Sequence, residues 1–66
     1  MDRDSALLNA RLFAKDTGKI VVMFQGKPGE YHYDTYDWWS KHGVSSVSYD
    51  DTTRYILPNG EVTKLS

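Results

Sequence analysis

Apolar residues in the first eighteen positions recur at helical spacing. At about 100° per residue, Ala6, Leu7, Ala10, Phe13 and Ala14 fall on one arc, and Leu8 and Leu12 form a second ridge set off from it by Asn9, Arg11 and Lys15. The pattern predicts a helix starting near Ala6, capped by Asp4 or Ser5 and ended by Gly18 in the left-handed conformation. Asp2 and Asp4 precede it, and Arg11 and Lys15 lie toward its end, as the helix dipole favours. It carries more apolar surface than one face needs, so it is expected to lie deep in the groove of a curved sheet.

The pattern then changes period. Ile20 to Phe24 is bulky or β-branched on both alternations, which predicts a central strand covered on both sides. Pro28-Gly29 suits the centre of a type II turn, so the chain is expected to return as Glu30 to Tyr33, with Tyr31 and Tyr33 on one face and His32 and Asp34 on the other. Asp34 or Thr35 caps a short second helix, Tyr36 to His42, terminated by Gly43. On it Tyr36 and Trp39 share a face and Trp38 pairs with His42, so the two tryptophans diverge by about 100°.

The remainder reads as a three-stranded antiparallel meander: Val47 to Tyr49, a turn at Asp50 to Thr53, Arg54 to Leu57, a hairpin turn at Pro58 to Glu61, and Val62 to Leu65. Asn59-Gly60 as a two-residue type I′ turn sets Leu57 opposite Val62 and Tyr55 opposite Lys64. The expected fold is one α+β domain over residues 1–66: N-terminal helix, β-hairpin, short helix and meander, with helices packed on an antiparallel sheet.

At 66 residues without cysteine, the domain buries only about 60% of the surface of its unfolded chain and has no disulfide to compensate. Its rings must carry the stability. Five of the nine Phe, Trp and Tyr residues, with His32, fall between Tyr31 and Trp39, too many for so small a core, so some are expected at the surface beside Asp34 and Asp37. From Glu30 to Asp51 five carboxylates (Glu30, Asp34, Asp37, Asp50, Asp51) face one cation, Lys41, the reverse of a nucleic-acid binder's bias. The acidic N-terminus and short apolar runs predict neither signal peptide nor membrane span, and the lack of cysteine fits a reducing cytoplasm.

Catalytic chemistry finds little support. His32, Asp34, Asp37 and His42 are metal-ligand types, but a strand and the far end of a helix separate the histidines, and both aspartates have capping uses. Ser40 and His42 merely flank Lys41, Asp50-Asp51 is ordinary turn chemistry, and no glycine-rich loop joins a strand to a helix. No enzyme activity, cofactor or metal is expected. Stacking of single-stranded nucleic acid on the rings is the alternative, disfavoured because no lysine or arginine lies between Tyr31 and Trp39. Tyr and Trp beside carboxylates suit a protein with a basic surface.

In size, cysteine-free composition and acidic-aromatic surface, the whole chain resembles the small inhibitors that phages and mobile elements encode against host defence, the anti-CRISPR and anti-restriction proteins. The resemblance lies in overall character rather than in any matched motif. It implies a non-enzymatic inhibitor that occludes a nucleic-acid-binding surface, with Glu30, Asp34, Asp37, Asp50 and Asp51 as phosphate-like charges and Trp38 and Tyr33 as anchors. The chain is expected to be monomeric, unless the sheet leaves the Leu8/Leu12 ridge uncovered.

Overall fold

The computed structural model describes residues 1–42 and 53–64. Helix α1 (Arg3–Thr17) starts earlier than the apolar arc predicts, because the cap is Asp2 rather than Asp4 or Ser5. Asp2 is extended and its Oδ1 accepts from the Ser5 amide at 2.7 Å, which makes polar Arg3, Asp4 and Ser5 the first turn. Periodicity in apolar residues cannot register such a turn. Gly18, at φ 69°, ends the helix with its amide donating to the Ala14 carbonyl.

Strands β1 (Val21–Lys27) and β2 (Glu30–Thr35) form the expected hairpin around Pro28-Gly29, both longer than predicted. Ile20, expected to open β1, lies ahead of it and is exposed. The register shifts between Gln25 and Lys27, leaving Gly26 as a bulge. Helix α2 (Tyr36–His42) follows β2 directly, with the predicted bounds, and Thr35 is its cap, Oγ1 accepting from the Trp38 amide at 3.2 Å.

Strands β3 (Arg54–Ile56) and β4 (Val62–Lys64) complete a four-stranded antiparallel sheet of order β2-β1-β3-β4. The fold is thus α+β as expected, and the C-terminal hairpin docks on the side of β1 opposite β2. The predicted strand Val47 to Tyr49, the helix stop Gly43 and most of the Asp50 to Thr53 turn lie outside the described residues, as does Leu65.

The β3–β4 register corrects the expected one by a single residue: Ile56 pairs with Val62 and Tyr55 with Thr63. The loop holds three residues rather than two. Gly60 donates to the Leu57 carbonyl at 2.9 Å, so Pro58 and Asn59 are the central residues of the turn, and only Gly60 (φ 92°) has positive φ. Proline's fixed φ favours the first central position of a type I turn, and a glycine in the left-handed region then forms the bulge that closes a three-residue loop.

Both faces of the sheet are covered, as the run at β1 predicts: Val21, Val22, Met23 and Phe24 are all buried. On one face Ala6, Ala10 and Ala14 of α1 pack against Val21, Met23 and Ile56, with Phe13, Tyr31 and Tyr33 around them. On the other, Trp39 of α2 packs with Val22, Phe24 and Tyr55. The expectation that the sheet would cover all of α1 does not hold, since Leu8 and Leu12 are 60% and 58% exposed. Both lie about 200° around the helix from buried Ala10, so an arc of small alanines seats α1 on the sheet and turns the leucines outward. Among the described residues no helix is long and apolar enough to cross a membrane.

Candidate protein-binding face

Alternation along β2 and the direction of α2 decide which of the aromatic and acidic side chains share a surface. Glu30, His32 and Asp34 occupy alternate positions of β2 on the α2 side of the sheet, opposite the Tyr31 and Tyr33 side. On α2 the two tryptophans part as their spacing requires: Trp39 is 7% exposed and Trp38 is 42% exposed. Trp39 and Tyr36 share a face, ring centroids 6.2 Å apart, but of the two Trp39 is buried as expected for the core side, while Tyr36 stays 40% exposed.

Asp37 is exposed and lies between Tyr36 and Trp38 around the outer side of α2, with Lys41 one turn on. Asp34 is half-buried at the strand-to-helix junction, where its Oδ1 accepts from the Thr35 amide at 2.7 Å. That bond fixes the carboxylate while leaving its second oxygen to other donors. At the far end of β2, Glu30 lies 3.8 Å from His32 Nε2, and the His32 ring leans on Phe24 with centroids 5.9 Å apart. The imidazole passes close over the Gly26 bulge: a Cβ there would sit 3.0 Å from its Cδ2.

Glu30, Asp34, Asp37 and Trp38 are therefore all on the α2 side of the sheet, with Glu30 at the end of β2 far from α2. Tyr33 is not. It is half-buried on the α1 side, edge-on to Phe13 with centroids 5.7 Å apart. Asp50 and Asp51 lie outside the described residues.

Reading by residue type missed two members of this surface. Ile20 is exposed and its carbonyl accepts from the Tyr36 amide at 2.8 Å, and the two help line a shallow depression of about 200 Å³ with Lys19, Thr35 and Asp37. The signal was present in Ile20 itself, an apolar residue between Lys19 and the buried run. Among the described residues no three His, Asp or Glu side chains converge on a point where a metal could sit. No family model, curated protein or solved structure matches the chain. The face carries exposed aromatic area beside carboxylate hydrogen-bond acceptors.

Proposed function

We propose that this chain is a non-enzymatic inhibitor acting in the cytoplasm, which docks its α2 side on a basic, nucleic-acid-binding surface of a partner protein. Glu30, Asp34 and Asp37 stand in for phosphates, Trp38 is the anchor, and the mode of action is the occlusion used by anti-CRISPR and anti-restriction proteins. One observation carries the reading: Trp38 keeps 42% of its surface exposed beside Asp37, while the adjacent Trp39 is buried. A small domain short of core material spends one tryptophan on stability and leaves the other where a partner can reach it.

The test compares wild type with an Asp34→Lys/Asp37→Lys variant and with Trp38→Ala. Each is used to capture proteins from a bacterial lysate treated with nuclease, and each is titrated against labelled single-stranded DNA at low salt. The expected result is a nucleic-acid-binding protein retained by wild type and lost by both variants, with no DNA binding. DNA binding that weakens as salt rises and survives the aspartate reversals would reject the proposal in favour of a nucleic-acid module.

A further inference from the structure

We propose that two copies of this chain associate through α1, antiparallel about a twofold axis, with Leu8 of each copy seated against Leu12 of the other. The surface is separate from the α2 side, since α1 and α2 cover opposite faces of the sheet. Leu8 and Leu12 are the large apolar residues of α1 that the fold leaves in water, one turn apart on a single line. A second α1 is the occupant whose charges fit.

In an antiparallel pair with position 8 level with position 12, positions 4 and 5 of one helix lie beside 15 and 16 of the other. Around α1, Leu8 is flanked by Asp4 and Lys15, and Leu12 by Ser5 and Asp16. Twofold antiparallel packing sets each flank against its own copy. Asp4 then meets Lys15 of the second copy, Ser5 meets Asp16, and symmetry makes each contact twice. The helix dipoles oppose as well.

One like-charge approach must be avoided, because the two Arg11 residues would lie near the axis on the Leu8 flank. The structure already draws Arg11 aside. Its Nη2 reaches over the β3–β4 turn, 3.6 Å from where a Cβ on Gly60 would be, along a groove that Leu8 and Leu12 share with Pro58 and Asn59. The seam thus pairs leucine with leucine and carboxylate with ammonium. A helix of 15 residues is only about 22 Å long, so the contact belongs to the small, reversible class of interfaces. A dimer built this way points its two α2 sides outward, ready to engage a partner twice.

Sedimentation equilibrium of the full chain, from about 10 µM to about 1 mM, tests the proposal. The apparent mass should climb from one chain toward two, and Leu8→Glu should return it to one at every concentration with an unchanged circular dichroism spectrum. Asp4→Lys alone should weaken association about tenfold or more, and adding Lys15→Asp should restore it. Both reversals oppose the dipole of their own helix, so recovery in the double variant cannot come from improved folding. Monomer mass at about 1 mM overturns the proposal, and so does a dimer indifferent to Leu8→Glu or one in which the second reversal fails to restore the first.

Discussion

The ring of Tyr36 meets that of Tyr55 edge to face, with centroids 5.5 Å apart and planes at 76°, tying α2 to β3 across the sheet face that Trp39 also covers. Tyr36 and Trp39 make these contacts, while Asp37 and Trp38 of the same helix are exposed. The two tryptophans should respond differently to removal. Trp39→Ala is expected to cost about 3–5 kcal/mol of stability and Trp38→Ala no more than about 1 kcal/mol, read from urea unfolding by circular dichroism. Equal losses would mean that Trp38 is a core residue and the division of roles is wrong.

The β3–β4 turn makes a second test. Since Gly60 alone carries positive φ there, Gly60→Ala should destabilise by about 1–2 kcal/mol. Asn59→Ala removes only the bond from the Glu61 amide to Asn59 Oδ1 and should cost about 1 kcal/mol or less. The register itself is visible by NMR as a close Hα–Hα contact between Ile56 and Val62. A contact between Leu57 and Val62 would restore the two-residue turn.

This turn also marks where sequence reading stops. Asn-Gly permits either loop length, and the choice rests on Pro58, whose fixed φ suits a central turn position. By contrast β1 was legible from the five consecutive apolar residues Ile20 to Phe24, although Ile20 falls outside the strand, the β1–β2 turn from Pro28-Gly29, and α2 from Thr35 and the spacing of Tyr36 and Trp39. Those signals are local. Coverage is not: whether Leu8 and Leu12 meet the sheet depends on how α1 is rotated, which the closeness of three alanines to β1 decides and no window of sequence contains. The candidate face divides the same way. The divergence of Trp38 and Trp39 follows from helix geometry, and the separation of Tyr33 from Asp34 from strand alternation, yet the joining of Ile20 to Tyr36 needed the tertiary fold.

Asp2 couples the start of α1 to pH. The Ser5 amide bonded to its carboxylate holds its pKa below the usual carboxylate value of 3.8, and the positive N-terminus adds to the effect. A carboxyl depressed in the folded state adds stability that is fully present above its unfolded pKa and is lost as pH falls through the folded one. Asp2→Asn keeps a capping oxygen without the charge. Wild type should therefore melt above Asp2→Asn at neutral pH, with the gap closing as pH drops below about 4. A gap that stays constant into acid would show that the charge contributes nothing.

The orientation of α1 can be tested without reference to any partner. Ala10 is fully buried in the cluster that α1 forms with the sheet, so Ala10→Leu forces added carbons into a filled space. Such overpacking typically costs about 1–3 kcal/mol. Leu12→Ala, on the far side, gives up little buried area and replaces leucine with the best helix former, so it should change stability by no more than about 0.5 kcal/mol. Both are measured by urea denaturation at low micromolar protein, where self-association through the ridge makes no contribution. If Leu12→Ala proves the more damaging, α1 is rotated by roughly half a turn from the packing described, and the leucines rather than the alanines face the sheet.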